Sequence, residues 1–183
     1  MRSLVLAGVV VVASCGFARA EDKGTPVELA GMKSVTPAEW KEEKPSNSMR
    51  LTQFRLPKAE GDAADAELAF FSFPGKGSGT TKQNLERQLA KFAEEGRVEK
   101  SEKAKVGDIE AVYQDVTGSF KKKAFPMATE FTLVKDQRQL YVVFEGKDDK
   151  VYYATLLGGK ATVEKHKKGF EEFLKNFKLG VTQ

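Results

Sequence analysis

Only two stretches of this 183-residue chain carry apolar residues at helical spacing, and the rest is dominated by short, aromatic-rich runs closed by glycine, proline or aspartate. Leu85, Leu89 and Phe92 recur at i, i+4 and i+7, while Val163, Phe170, Phe173, Leu174 and Phe177 make a longer stripe. The runs MRLTQFRLP (49–57), ELAFFSF (67–73), DIEAVYQDVTGSF (108–120), ATEFTLV, QLYVVFEG and KVYYATLLG read as strands, with turns at KDQR and KDD. The order β-β-α-β-β-β-β-α predicts an α+β domain: an antiparallel sheet of about six strands with two helices packed on it. The second helix is expected from about Ala161 to Lys178, and residues 94–107 as a charged loop.

The N-terminus sets the compartment. Arg2 precedes an unbroken apolar run from Leu4 to Ala13, and Ala18-Arg19-Ala20 fits a signal-peptidase site, with cleavage between Ala20 and Glu21. The organisation expected is therefore a signal peptide over 1–20, a flexible leader over 21–34 and one domain over 35–180. The apolar run falls short of the roughly 20 residues that span a bilayer. A competing cut follows from Val12-Ala13-Ser14-Cys15, which has the form of a bacterial lipobox and would make Cys15 the lipid attachment site. The product is secreted or periplasmic on the first reading and a membrane-anchored lipoprotein on the second.

Cys15 is the only cysteine, so neither a disulfide framework nor a cysteine metal site is available. The domain has to stand on its core, and a chain of this size buries roughly 70% of its unfolded surface. The formal charge is +4, but lysines and acids are interleaved along the chain. That pattern is a solvated surface rather than the clustered stripe of a nucleic-acid binder.

The stretch FFSFPGKGSGTTKQNLERQL (70–89) has the layout of a phosphate cradle: strand, glycine loop, helix start. Its spacing argues otherwise. A P-loop needs its lysine directly after the last glycine, and here Gly79 is followed by Thr80-Thr81-Lys82. Gly75, Gly77 and Gly79 also lack the third interval of a dinucleotide fingerprint. Pro74 ends a strand, and Thr80 with Gln83 fits a T-x-x-Q capping box. Free N–H groups at this helix start leave room for a weak anion site at most. His166, the single histidine, lies among Lys165, Lys167 and Lys168 without a serine or carboxylate motif, and reads as an exposed or boundary residue. Asp62, Asp65 and Glu67 lack the order of a calcium loop. Lys121, Lys122 and Lys123, flanked by Phe120 and Phe125, form a basic, aromatic-flanked turn that can touch an anionic polymer or lipid surface. Trp40 reads as packing at a core edge. No catalytic, metal or cofactor residues are expected.

The segment PAEWKEEKPSNSMRLTQFRLPKAEGDAADAELAFFSF resembles a family of uncharacterised secreted bacterial proteins. Their pattern runs P-x-x-W-K-x-E-K-P-S-N-x-M-R-L-x-Q-F-x-L-P-K-A-x-G-D, then A-E-L, an aromatic strand, a glycine loop and a helix N-x-x-R-W-x-x-x-F. Asn84, Arg87 and Phe92 match the helix; Gln88 stands in place of its tryptophan. Leu157-Gly158-Gly159 replaces a Leu-x-Gly-Pro turn, and the segment from Lys135 to Lys150 is longer than in the pattern. The resemblance implies a PsbP-like (DcrB-like) α/β/α sandwich, with accessory or binding roles and no catalytic residues. The expected function is a non-catalytic binding or accessory domain whose partner is an envelope protein or anionic polymer. The alternatives are a lipid-anchored envelope protein and a carboxylate-based hydrolase.

Overall fold

A computed structural model describes residues 24–179 except Lys76 and Pro126. The expectations for Cys15, Ala20 and Glu21 lie outside the described residues. The chain runs β1 (Pro26–Leu29), β2 (Met32–Val35), β3 (Lys41–Glu43), β4 (Arg50–Leu56), β5 (Ala66–Pro74), α1 (Thr81–Leu89), β6 (Val98–Val106), β7 (Ile109–Lys122), β8 (Thr132–Glu145), β9 (Lys150–Gly159), α2 (Lys160–Lys175) and β10 (Lys178–Leu179). A seven-stranded sheet has the order β3-β4-β5-β9-β8-β7-β6, and a three-stranded sheet the order β1-β2-β10. Every pairing is antiparallel. Among the described residues no helix is long and apolar enough to cross a membrane.

The α+β class with two helices on an antiparallel sheet is what the structure shows, but the strand count of six was too low. Three departures have physical reasons: the first and third add strands, and the second joins two expected strands into one. Residues 94–107, expected as a loop, contain β6, an edge strand whose side chains are exposed on both faces over most of its length, so no apolar alternation marks it. The expected turn KDQR lies inside β8. Asp136 takes a positive φ of 54° there, and the register with β7 shifts between Gly118 and Phe120, so one long strand bulges where two were expected. The flexible leader is in part a hairpin: β1 and β2 alternate exposed and buried residues, and Leu29 and Met32 enter the main core.

The two faces of the large sheet are covered unequally. Helix α2 lays Val163, Phe170, Phe173 and Leu174 against Phe70, Leu140, Ala154 and Leu156. Each fully buried side chain of this size contributes about 1.5–3 kcal/mol. The opposite face carries a smaller cluster of Tyr141, Val143, Val151 and Tyr153, with Phe71, Leu85 and Val112 against it. The nine-residue α1 is too short to roof that face. Thr80 and Gln83 form the expected capping box at its start: the Thr80 hydroxyl accepts from Gln83 N–H at 3.2 Å, and the Gln83 carboxamide accepts from Thr80 N–H at 2.9 Å.

Candidate functional site

The uncovered part of the sheet forms a cleft of about 720 Å³. That size lies within the range of small-molecule sites. Its floor is the face of β5, β9 and β8 that points away from α2. The register sets Phe71 opposite Tyr153, Ala69 opposite Thr155, and Leu157 opposite Gln139, so these alternate residues share one surface. Asn84, Arg87, Gln88 and Lys91 form one wall, from α1 and the turn after it. Met49, Arg50 and Glu67 stand at the β4 side, and Gly77 and Ser78 of the glycine loop close one end. Tyr141 and Tyr153 stack at 6.0 Å with 24° between their planes, and Phe73 meets Tyr153 edge-on at 5.9 Å.

Polar groups in this cleft are incompletely satisfied. Among the described residues, four buried side-chain atoms have no hydrogen-bond partner: Arg50 Nε, Gln114 Oε1, Gln139 Oε1 and Tyr153 OH. Three of the four belong to the cleft lining. An unmet buried donor or acceptor costs about 1–3 kcal/mol, so three in one place is a feature requiring a reason. The hub of the wall is Gln88. Its Oε1 accepts from Lys91 Nζ at 2.7 Å and from Gln139 Nε2 at 3.1 Å. Lysine is donor only, so the Gln88 oxygen must face it, and Gln139 must turn its NH₂ toward that oxygen. The Gln139 carbonyl oxygen is thereby left without a donor, in a residue 1% exposed.

The charge of the cleft is positive. Arg50 is neutralised by Glu67, with Nη1 2.8 Å from Oε1. Arg87 makes no ion pair among the described residues. Lys91 is exposed as a whole, but the protein atoms around its ammonium, and then the charge of Arg87, lower its pKa. A second hollow of about 640 Å³ lies at the β6 side of the sheet, where Lys103 and Lys105 are balanced by Glu110 and Glu145 and no unpartnered buried atom lines it.

The residues singled out in the sequence fall in different places. Lys121 is tied down: its N–H bonds to Lys91 O at 2.8 Å, its Nζ donates to Ala90 O at 3.2 Å, and the ammonium lies 5.8 Å from the Phe131 ring centre. Lys122 and Lys123 are exposed, and Phe125 stands 62% exposed beside them. The basic run is thus one anchoring lysine followed by a free, aromatic tip. His166 is not the expected exposed or boundary residue. It is 2% exposed, accepts from Trp40 Nε1 at 3.2 Å through Nδ1, and sits 2.9 Å from Pro57 O through Nε2. Its position on the Val163–Phe170 stripe was the signal for this burial. Asp62 holds the start of α2, and Glu67 lies in the cleft. Sequence reasoning missed Arg50, Gln139, Tyr153 and Lys91 as a group, because only the sheet order brings them together.

No family model matches the sequence. No curated protein matches it either. Among solved structures, the chain is similar to the cyanobacterial PsbP protein CyanoP from Synechocystis sp. PCC 6803, with 14% identity, a TM-score of 0.52, and coverage of 92% of this chain and 99% of that one. It is also similar to PA94, a protein of unknown function from Pseudomonas aeruginosa, with 17% identity, a TM-score of 0.47, and coverage of 82% and 93%. The likeness to CyanoP is one of fold: the chain has a PsbP-like α+β fold, as the resemblance implied.

Proposed function

We propose that this chain is a secreted or periplasmic binding domain, without catalytic activity of its own, that holds a small ligand in the cleft between α1 and the open face of the sheet. The observation that carries the reading is that three residues lining the cleft, Arg50, Gln139 and Tyr153, each hold a buried side-chain atom (Nε, Oε1 and OH) without a protein partner. Buried polar groups are normally satisfied, and a ligand that satisfies them is the economical explanation. The rival hydrolase draws less support. It needs a second carboxylate, and Glu67 is the one carboxylate among the lining residues, already paired with Arg50. Screening the folded protein against a small-molecule library by amide NMR tests the reading. Hits that shift α1 and β9 amides together support it; hits that scatter over the surface sink it.

The partner surface we assign to the β7–β8 tip. Phe125, Met127 (86% exposed), Phe131 and Leu133 stand out of the fold next to Lys122 and Lys123. Exposed apolar side chains beside lysines suit an anionic envelope surface. The intact mass of protein from native cells decides the anchoring. A soluble species starting at Glu21 supports secretion, and a membrane-bound species starting at an acylated Cys15 replaces that with a lipoprotein.

A further inference from the structure

Resting on the cleft reading above, we propose that the ligand is a small organic acid: an anionic head, an apolar ring-bearing body, and a hydrogen-bond donor of its own. Each part answers a feature of the wall. Arg87, in α1, and Lys91, in the turn four residues on, are like charges on one wall, and their repulsion is unfavourable when nothing lies between them. Arg87 has no carboxylate partner among the described residues, and Lys91 has only the neutral oxygen of Gln88. An anion bridging the two cations removes their repulsion and gains charge-assisted hydrogen bonds. Arg50 is excluded as the anchor because Glu67 already neutralises it.

The donor follows from Gln139. Its carboxamide is oriented by the Lys91–Gln88–Gln139 chain, so the free atom is an acceptor, which an O–H or N–H on the ligand would complete. Tyr153 OH, also unpartnered, can take either role beside it. The ring follows from the floor, where Tyr141, Tyr153 and Phe73 already pack at separations and angles favoured by aromatic pairs. A flat ring extends that stack; a branched polar body does not.

The test uses para-hydroxyphenylacetate, its neutral alcohol analogue tyrosol, and phenylacetate, each titrated into the folded protein by calorimetry and amide NMR. The hydroxy acid is expected to bind tightest, with tyrosol about tenfold weaker or worse for want of the charge-assisted bonds, and phenylacetate several-fold weaker for want of the donor. In the double variant Arg87→Gln, Lys91→Gln, both on the exposed wall, the advantage of the acid over tyrosol disappears. If tyrosol binds as well as the acid while α1 and β9 amides still shift, the anion assignment falls and the cleft reading stands. If phenylacetate equals the hydroxy acid, the donor assignment falls. If none of the probes shifts those amides at millimolar concentration while other library compounds do, the ligand class is wrong; if nothing does, the cleft reading falls with it.

Discussion

Trp40 donates its indole N–H to Nδ1 of His166 at 3.2 Å, and the two rings lie edge to face inside the core. The other ring nitrogen faces Pro57 O at 2.9 Å. A carbonyl only accepts, so Nε2 carries a proton, and the histidine bridges β3's approach to the end of β4. The Glu39 carboxylate also approaches Nδ1, at 3.4 Å, but is itself largely exposed. Trp40→Phe keeps the apolar contact with Phe173 and leaves Nδ1 without its donor. The expected loss is about 2–3 kcal/mol, from the unmet acceptor and the smaller ring together. Denaturant unfolding measures it, and nitrogen NMR of His166 should report the Nε2–H tautomer in the parent protein.

Helix α2 starts on a glycine that has no side chain to cap it. Asp62, in the loop between β4 and β5, supplies the cap from outside the helix. Its Oδ2 accepts from Thr162 N–H at 2.7 Å and from the Thr162 hydroxyl at 2.6 Å. Thr162 Oγ1 in turn accepts from Ala59 N–H at 3.0 Å. Asp62→Ala should cost about 1–2 kcal/mol, as loss of a good N-cap does. Gly159→Ala should also be destabilising, because the added methyl would run into the Asp62 carboxyl group. Melting temperatures of the two variants check both statements; an unchanged Asp62→Ala protein would show that the loop does not cap the helix.

The cap also shows what the sequence could and could not reveal. Strands β5 and β9 and helix α2 were readable because burial imposes a pattern on them: an aromatic run between Gly and Pro, and a stripe at helical spacing. Strand β6 was unreadable because its exposed edge needs no apolar residues. The β1–β2 hairpin was missed because it is four residues a side and turns on Ala30-Gly31, both at positive φ, where Asn-Gly would have announced it. The capping role of Asp62 was not legible because its partner lies 100 residues away. The cleft was invisible for the same reason. Arg50, Gln139 and Tyr153 come from three strands whose adjacency depends on β9 inserting between β5 and β8, a long-range choice that no local pattern encodes.

Acid sensitivity should centre on Asp115. Burial raises its pKa, but Arg138 and then Lys167 outweigh that and hold it below the usual 3.8. Arg138 reaches it through Nε at 2.8 Å and Nη2 at 2.6 Å, and also contacts Glu164. A carboxylate with a lowered folded pKa stabilises fully above its unfolded pKa, and that stability is lost as pH falls below 3.8 through the folded value. Asp115→Asn should therefore lower stability at pH 7 by about 2 kcal/mol, somewhat less than the 3–5 of a fully buried pair. The difference from the parent should shrink as pH falls below 3.8. A gap that stays constant down to pH 2 would mean that packing, not charge, is what the substitution removes.

If the β7–β8 tip contacts an anionic surface, Phe125→Ser with Lys122→Gln and Lys123→Gln should abolish co-sedimentation with phosphatidylglycerol vesicles. The melting temperature should not change, since all three side chains are exposed. Each lysine near such a surface is worth about 1 kcal/mol, so loss of the two alone should weaken binding by more than tenfold at low salt. Retained sedimentation would move the contact elsewhere.

Tyr153→Phe separates stability from binding in the cleft. The hydroxyl is buried without a partner, so in the free protein it contributes desolvation cost and no hydrogen bond. Its removal keeps the ring on Tyr141 and Phe73. The free variant should be as stable as the parent or about 1 kcal/mol more stable, which is unusual for a substitution at a residue 6% exposed. A ligand that hydrogen-bonds the hydroxyl should bind the variant several-fold more weakly. The two effects have opposite signs, and their combination distinguishes a group kept for recognition from one kept for packing. Thermal melts and titrations on the same two proteins read both: a destabilised variant with unchanged affinity would place the hydroxyl in the core's own bonding and out of the binding site.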